Sequence, residues 1–279
     1  MTTTSTGIEQ SFIKHFEADV HNAYQQQGSK LQSTVRSKNN IKGASTTFQV
    51  IGKATAATKT RNTQISTSAV THEPVECTLT DYYSGQWVDS LDELKVGHDE
   101  RKALATAGAY ALGRKTDELI INALKGATQT VGSGVLTKAR ILEAFTMLNK
   151  NDVPDDGERY ALLSPEAWNQ LMGIEEFSNA NYVGEAYPYL TGSETRKWMG
   201  IVWIMHTGLP ADTTNKTHDC FIYHKSAVGH ASGQDIKTDI TWHGDYAAHF
   251  VNNMMSQGAC LIDKKGVVKL TVADSASQS

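Results

Sequence analysis

Residues 90–126, SLDELKVGHDERKALATAGAYALGRKTDELIINALKG, decide the fold of this chain. Ser90 and Glu93 have the spacing of a capping box, which predicts that a helix begins there. Gly97 permits a bend, and no proline interrupts the alanine-rich stretch that follows, so helix propensity is high. Gly126 is placed to end the helix in the left-handed conformation. The uninterrupted part would span roughly 40 Å, which is typical of a strut rather than of one layer of a small core.

Apolar side chains recur along this helix at three- and four-residue steps. They predict one buried stripe, formed by Leu104, Ala107, Ala111, Leu112, Leu119, Ala123 and Leu124. Much of the remaining surface is charged, with Arg101, Lys102, Arg114, Lys115, Asp117 and Glu118. Because Ala107 and Ala111 are small, we expect the helix to approach a sheet closely at these two positions.

Length and composition are those of a globular protein. A chain of 279 residues allows about two domains, and contents of 39% hydrophobic and 20% charged residues are ordinary. No apolar run approaches the roughly 18 residues of a membrane-spanning helix. The amino terminus, MTTTSTGIEQ, lacks the hydrophobic centre of a signal peptide. We therefore expect neither membrane insertion nor secretion.

The net charge of −4 conceals an asymmetry between the two parts of the chain. Residues 1–61 carry a charge of +5, which leaves −9 for the remainder. Such a distribution is typical of an arm that lies on an acidic surface, including that of an identical neighbour. An ordinary solvated arm would show the same charge, so this alternative stays open.

The region before the long helix predicts an arm and a projecting hairpin. Phe12 and Phe16 belong to an apolar stripe of helical spacing between residues 9 and 26. Residues 46–50 and 74–83 alternate as two strands do. The residues between them are rich in Thr, Ala and Ser, and they are too poor in large apolar groups to form a core. We predict a two-stranded arm with a polar tip, which needs another surface to lie on.

The region after the long helix mixes helices and strands irregularly, which predicts an α+β fold. Residues 127–134 have the composition of a loop. A helix is predicted over 138–150, with Thr137 as its cap and with Ile141, Leu142, Phe145 and Leu148 as its buried side chains. Ser164 and Pro165 mark the start of a short helix after a buried strand at 160–163. We expect a surface loop at 177–197, a short, helix-like segment at 227–231, strands at 200–205, 220–223, 237–242, 248–255, 259–263 and 267–272, and a hairpin turn at 264–266.

Catalytic and metal-binding signatures are weak throughout. The chain has no phosphate-binding loop, dinucleotide fingerprint, nucleophile elbow or HExxH motif. His218, Cys220, His224 and His230 form the densest group of zinc-ligand types, but no CxxC pair supports them. The turn NDVPDDG at 151–157 resembles a calcium loop only superficially, because Pro154 occupies a ligand position. We predict no metal and no cofactor.

The remaining candidates for chemistry have simpler explanations. Asp81, Asp89, Asp92 and Glu93 would serve as acid and base, but their positions are more typical of helix starts and surface charges. Cys77, Cys220 and Cys260 are odd in number and lie in apolar strands, which predicts buried reduced thiols. The sequence therefore favours a structural protein over an enzyme.

Four stretches of the chain carry a resemblance to a known family. They are TLTDYYSGQWVDSLDE (78–93), RYALLSPEAWNQLM (159–172), TGSETRKWMGIVWIMHTGLP (191–210) and HKSAVGHASGQDIKTDITWHGDYAAHFVNNMMSQGACLID (224–263). In their order along the chain they resemble the podovirus-type branch of the major capsid proteins of tailed double-stranded-DNA bacteriophages. Encapsulin shells share this fold. The resemblance covers residues 9–272 and depends on order and coverage, because none of the four stretches is a catalytic signature.

The resemblance implies a domain plan. It makes residues 1–44 an amino-terminal arm, 45–89 an extended loop, 90–150 a peripheral domain built on the spine helix, and 151–225 an axial domain. Residues 226–279 supply the closing strands of the peripheral domain and a tail. The assembly contacts that we predict are Phe12 and Phe16 of the arm and Lys53, Lys59 and Arg61 of the loop. We expect no covalent crosslink through Lys53 or Lys59, because no partner pattern accompanies them.

The resemblance also implies a function. Copies of the chain would form hexamers and pentamers that close into an icosahedral shell in the virion, around double-stranded DNA that is held without sequence-specific contacts. Assembly in the host cytoplasm would use a portal and, because the arm is short, a separate scaffolding protein. Two alternatives stay open: an encapsulin that encloses enzyme cargo, and a metal-dependent hydrolase that uses His218 or His224.

Overall fold

A computed structural model describes residues 25–93 apart from 66 and 68, residues 100–178, and residues 195–274. Helices and strands alternate irregularly along these residues, as the sequence predicts for an α+β fold. In chain order they are β1 (Arg36–Lys38), β2 (Ser45–Ile51), β3 (His72–Thr78), β4 (Thr80–Asp89), α1 (Ser90–Glu93), α2 (Glu100–Leu124), β5 (Gln129–Gly134), α3 (Lys138–Lys150), β6 (Arg159–Leu163), α4 (Pro165–Met172), α5 (Glu175–Ser178), β7 (Thr195–Trp198), β8 (Ile201–Met205), β9 (Ala211–Asp212), β10 (Thr217–His224), β11 (Val228–His243), β12 (Ala248–Leu261) and β13 (Val267–Ala273).

The strands form three separate sheets. A four-stranded sheet has the order β1-β11-β12-β4, and a seven-stranded sheet has the order β5-β13-β10-β6-β8-β7, with β9 beside β10. The third sheet contains β2 and β3 alone. The main core joins the seven-stranded sheet to α2, α3 and α4, and its largest fully buried side chains include Trp203, Tyr223 and Phe221. A smaller core lies at the base of the two-stranded sheet, around Phe48.

The long helix predicted from the sequence is α2, whose 25 residues span about 37 Å. It lies against β12, β11 and β4 of the four-stranded sheet. Its close approach to the sheet depends on Gly108, because a Cβ at this position would come within 2.2 Å of the amide nitrogen of Asn253 in β12. Further along, Oγ1 of Thr116 donates to Oε1 of Gln257 at 2.7 Å. The helix is therefore a strut that packs through its smallest residue.

The buried face of α2 agrees only in part with the stripe that the sequence predicts, in which Leu112 and Leu124 are buried as expected. Ala107, Ala111 and Leu119 are only half-buried, and Asp117, which the prediction places on the polar side, is fully buried. The physical reason is that α2 is covered from a second side by the segment leading in from the amino-terminal arm. The buried residues of the helix are Gly108, Leu112, Gly113, Thr116, Asp117, Ile120, Ile121 and Leu124.

The ends of the helices also differ from the prediction. Helix α2 ends at Leu124, and Gly126 does not have a positive φ, so the left-handed cap predicted there is wrong. Before α1, Oδ1 of Asp89 accepts a hydrogen bond from the backbone of Leu91 at 2.8 Å, and Asp89 thus takes the capping role predicted for Ser90. The cap predicted at Ser164 is confirmed, because its side chain accepts from the backbone of Ala167 at 3.1 Å.

Several predicted strands have other bounds or partners. The run predicted over 74–83 divides at Leu79, where β3 ends and β4 enters the four-stranded sheet. The predicted loop at 127–134 contains β5, which pairs in parallel with β13. The two strands predicted at 248–255 and 259–263 are one strand, β12, and residues 228–231, expected within a short helix-like segment, begin β11. Residues 264–266 connect two sheets, so the hairpin predicted there is wrong.

Helix α3 has the predicted bounds, but its buried side chains differ in part. Ile141 and Leu148 are buried as predicted, whereas Leu142 is 40% exposed and Ala144 takes its place in the core. Thr137 occupies the cap position, but its side-chain oxygen accepts no capping hydrogen bond from the backbone. Of the predicted surface loop at 177–197, residues 179–194 lie outside the described part of the chain, and Phe177 at its start is buried.

Candidate assembly surfaces

The two-stranded arm predicted from the sequence is present as β2 and β3. The strands are antiparallel, with Phe48 opposite Val75, and the last bond before the tip joins the backbone of Gly52 to that of Thr71. Nearly all the described residues from 53 to 71 are exposed and belong to no strand. The tip therefore has no core of its own, as its composition predicts.

The base of the arm is held firmly, in contrast to its tip. Phe48 is fully buried, and Nζ of Lys38 lies 4.7 Å from the centroid of its ring. Behind it, the Cys77 thiol is buried next to Cys260 of β12. The hydrogen bond with Cys260 and the burial of the thiol raise the pKa of Cys77, which keeps it protonated. The three cysteines are free, as predicted, although Cys260 is only half-buried.

The predicted contact residues of the two-stranded arm lie at its exposed tip. Lys53, Lys59 and Arg61 are all exposed. Nζ of Lys53 contacts Oδ2 of Asp152, and this hydrogen bond lowers the pKa of Asp152. Among the described residues, Lys59 and Arg61 have no ion-pair partner. Phe12 and Phe16, the other predicted contacts, lie outside the described residues.

A second exposed surface lies on the four-stranded sheet. In β4, Ser84 faces α2, so the alternation of the strand directs Tyr83 and Trp87 to the opposite face. Tyr83 is 67% exposed and Trp87 is 48% exposed. The ring of Trp87 lies 4.6 Å from that of Phe250 and 4.7 Å from that of Tyr246. This open aromatic face, defined by Tyr83, Trp87, Tyr246 and Phe250, was not predicted from the sequence, although the TDYYSGQW pattern carries its signal.

The segment that leads in from the amino-terminal arm is fixed to α2 through one carboxylate. Oδ1 of Asp117 accepts hydrogen bonds from Oγ of Ser29 at 2.5 Å and from the backbone of Leu31 at 3.1 Å. Oδ2 accepts from the backbone of Lys30 at 3.0 Å and from the side chain of Gln26. The same oxygen lies 3.1 Å from Nε2 of His206.

These donors determine the charge state of the buried carboxyl group. Burial alone would raise the pKa of Asp117, but the hydrogen bonds from His206, Ser29 and the backbone of Lys30 outweigh it and lower the pKa. Asp117 is therefore ionised and anchors residues 26–31 on the helix. Sequence reasoning missed this role, although Asp117 lies four residues after Gly113 and three before Ile120 on the buried stripe.

The histidines that suggested zinc do not converge. Nε2 of His230 faces Oε1 of Gln257 at 3.2 Å, whereas Nε2 of His224 faces Asp156 at 3.1 Å. His218 meets Asp274, and Cys220 is fully buried in the core. The four residues of the zinc hypothesis therefore have different partners and do not form one site. Of the acidic candidates, Asp81 is exposed on β4 and Asp89 caps α1, while the side chains of Asp92 and Glu93 lie outside the described part.

Comparison with known proteins gives a consistent picture. A family model described as "Phage capsid protein" matches residues 8–274. No curated protein matches the chain. Within the described residues, no helix has the length and apolarity to span a membrane.

Solved structures similar to this one come from several tailed phages. The capsid structure of the cyanophage P-SCSP1u is 20% identical with a TM-score of 0.75, over 98% of this chain and 96% of that one. A structure from Mycobacterium phage Che8 is 18% identical with a TM-score of 0.74, over 94% and 97% of the two chains. The capsid of cyanophage Pam1 is 13% identical with a TM-score of 0.73, over 99% and 100%. These similarities establish the fold over nearly the whole chain.

Proposed function

The chain belongs to the phage capsid protein family, and on this premise we propose that its copies assemble as hexamers and pentamers into an icosahedral shell around double-stranded DNA. It is a structural protein of the virion capsid. We assign it no catalytic activity and no cofactor. Many modest contacts between subunits stabilise the shell. They are strong together because symmetry repeats each contact and several neighbours hold every subunit.

The observation that carries this proposal is the two-stranded arm. Its strands pair only with each other, and its tip is polar, basic and exposed. An isolated two-stranded hairpin is marginally stable in water, so an arm of this length requires a surface on which to lie. The subunit fixes the base of the arm through Phe48 and leaves Lys59 and Arg61 without an ion-pair partner among the described residues. A neighbouring subunit supplies the missing surface.

The charge of the chain favours the same arrangement. Residues 1–61 carry +5 and the remainder −9, so the arm of one copy and the body of another attract each other. The open aromatic face gives the body a second area for contact with a neighbour, since Tyr83 and Tyr246 are each 67% exposed. Phe12 and Phe16 would add apolar contacts from the amino-terminal arm.

We also propose a division of the chain into functional parts. Residues 1–44 form the amino-terminal arm, 45–89 the extended loop, 90–150 the peripheral domain with its spine helix α2, 151–225 the axial domain, and 226–279 the closing strands with a tail. The pairing of β4 with β12 supports moving residues 80–89 into the peripheral domain. The pairing of β13 with β5 and β10 supports counting β5 and β13 with the axial domain, because all three strands belong to the seven-stranded sheet.

The proposed partners besides further copies of the chain are DNA, a scaffolding protein and a portal. A net charge of −4 does not favour tight binding to DNA, so we propose that the inner wall encloses DNA without binding it tightly. A separate scaffolding protein and a portal would guide assembly in the host cytoplasm. We propose no covalent crosslink between subunits through Lys53 or Lys59.

Replacement of residues 54–62 by a short Gly/Ser turn tests the proposal. The segment ATAATKTRN has no large apolar side chain, and shortening a loop changes closure entropy by only about 1 kcal/mol or less. We expect unchanged circular dichroism and thermal melting, together with loss of particles in negative-stain images. Intact shells of normal size would overturn the role of the tip, and shells that contain protein cargo without DNA would favour the encapsulin alternative.

A further inference from the structure

Three side chains of types that bind metals lie close together where the end of β13 adjoins the start of α4. Glu166 lies in the first turn of α4, His218 is the second residue of β10, and Asp274 follows the last residue of β13. One ligand atom of each lies within 4.8 Å of the other two. Nδ1 of His218 is 2.5 Å from Oδ1 of Asp274 and 3.9 Å from Oε2 of Glu166.

The three positions are fixed by the backbone rather than by flexible side chains. His218 lies opposite Val272 in the β10–β13 ladder, so Asp274, two residues further on, lies on the same face of the sheet as His218. The side chain of Gln170 in α4 donates to the backbone oxygen of Ala273 at 2.6 Å. The sheet and the helix thus bring the cluster together independently of any attraction between its members.

One carboxylate oxygen of the cluster lacks a hydrogen-bond partner. Oε2 of Glu166 is shielded from solvent, although the side chain as a whole is 43% exposed, and it is one of three buried side-chain atoms without a hydrogen-bond partner in the described part of the chain. A buried carboxylate oxygen without a donor or a cation costs free energy, and native structures rarely leave one. Lys138, at the edge of the adjoining groove, is paired with Glu176 instead. Among the described residues, no lysine forms an ion pair with either Glu166 or Asp274.

A second group of similar composition provides a contrast. Asp156, Glu158 and His224 also lie within ligand distance of one another. There, Oε1 of Glu158 is paired with Lys225 at 2.9 Å, and Nδ1 of His224 lies 2.7 Å from Oγ of Ser226. Oδ1 of Asp156 accepts from the backbone of Glu158 at 2.9 Å. Protein groups satisfy this second cluster, whereas the first retains an unsatisfied oxygen.

We propose that Glu166, His218 and Asp274 bind a divalent transition-metal cation of the zinc type. One imidazole nitrogen and two carboxylate oxygens are a ligand set that zinc accepts, whereas calcium and magnesium prefer oxygen alone. The surface groove of about 520 Å³ beside Glu166 and Asp274 leaves room for water as a further ligand. The cation would tie the end of β13 to α4 and β10, and thereby stabilise the end of the seven-stranded sheet at which β10 begins and β13 finishes.

Zinc titration of the purified full-length chain, freed of metal with a chelator, tests this site. We expect about one bound zinc per subunit by calorimetry and a melting temperature that rises with zinc. Glu166→Gln and His218→Gln should each lower the affinity about tenfold or more and remove the thermal shift. Asp156→Asn, which alters the satisfied cluster by one charge, should leave both unchanged.

Three results would overturn the site. They are the absence of zinc binding, wild-type affinity in both variants, and an equal loss of affinity in Asp156→Asn, which would indicate general surface binding. Circular dichroism of each variant establishes that it is folded, and two independent substitutions keep the test decisive if one of them fails to fold. Calcium in place of zinc serves as the control for nonspecific charge screening.

Discussion

Nε2 of His206 lies 3.1 Å from Oδ2 of Asp117, and neither residue is more than 4% exposed. Nδ1 of the same ring accepts a hydrogen bond from the backbone of Gly208 at 3.0 Å, so the proton of the neutral imidazole resides on Nε2 and is donated to the carboxylate. Through this pair, the loop after β8 and the segment at residues 26–31 are fixed to the same point of α2. Three distant parts of the chain therefore depend on one carboxylate.

Substitution of Asp117 by Asn tests this dependence. The amide would bring hydrogen atoms toward donors that now point at a carboxylate, and one side of a buried polar network would be lost. We expect the free energy of unfolding to fall by about 3 kcal/mol, as for buried pairs broken from one side. Glu118→Gln is the matched control: the same change at an exposed neighbour should cost less than about 0.5 kcal/mol. Equal effects in chemical denaturation would contradict the anchoring role.

The same pair predicts a pH dependence. The pKa of Asp117 lies below its ordinary value of 3.8, so its contribution to stability is complete above that value and is lost as the pH falls through the folded pKa. The stability difference between the wild type and Asp117→Asn should shrink as the pH falls below 3.8. Urea unfolding at a series of pH values measures this difference. A gap that widens in acid would show that the sign is wrong.

Gly113 offers a test of how closely residues 26–31 cover the helix. A Cβ at this position would lie 2.6 Å from the backbone of Gly28, and backbone cannot move aside as a flexible side chain can. Gly113→Ala should therefore destabilise the subunit by about 1–3 kcal/mol, although alanine favours an open helix by about 1 kcal/mol. Gly132→Ala, with no atom within 4 Å of the added Cβ, is the control in thermal melting. Increased stability of Gly113→Ala would mean that the contact is absent.

Local sequence patterns predicted the helices and the two-stranded arm. The features that they did not predict depend on contacts between residues far apart in the chain. The bounds of α3 and the antiparallel pairing of β2 with β3 follow from periodicity, cap residues and composition. The burial of Asp117 does not, because its partners Ser29 and His206 lie 88 and 89 residues away in the chain. The local pattern also predicted a break near Gly258, where the structure has the single strand β12. There a glycine is needed within the strand, since a Cβ would come within 2.1 Å of the Thr78 carbonyl oxygen.

The exposure of some residues on the candidate surfaces could be predicted from local sequence, and that of others could not. The exposure of Lys53, Lys59 and Arg61 was predictable, because a segment without large apolar residues cannot be buried by its own subunit. Tyr83 and Trp87 were visible only as members of a strand, since their exposure depends on which face α2 covers. The cluster of His218 with Asp274 requires the register of β10 and β13, which no local pattern gives.

Tyr83 tests the open aromatic face. Its side chain is 67% exposed, so Tyr83→Ala should change the unfolding free energy of the subunit by less than about 0.5 kcal/mol. Particle yield should nevertheless fall if a neighbour covers this face, because aromatic side chains contribute strongly to interfaces. Melting and electron microscopy on one preparation separate the two effects. A normal yield of normal shells would show that this face stays open to solvent in the capsid.

Charge reversal at the arm tip separates docking from folding. Lys59 and Arg61 are exposed, and neither forms an ion pair with a described residue, so Lys59→Glu with Arg61→Glu should leave subunit melting unchanged. The double variant should lose assembly, since it replaces attraction by repulsion at every copy of the contact. Lys59→Arg with Arg61→Lys keeps the charge and is the matched control, which should form shells.

Salt dependence then decides whether charge holds the tip in place. Screening shortens the Debye length to about 3 Å at 1 M salt, so electrostatic docking should weaken as salt rises, whereas apolar contacts hold or strengthen. Sedimentation of the wild type across a salt series should show the assembled fraction falling. The charge-reversed variant should show little fall from its low starting point, because the attraction that salt screens is already absent. A flat or rising fraction in the wild type would assign the contact to Phe12, Phe16 and the aromatic face instead, since these contacts depend on burial rather than on charge.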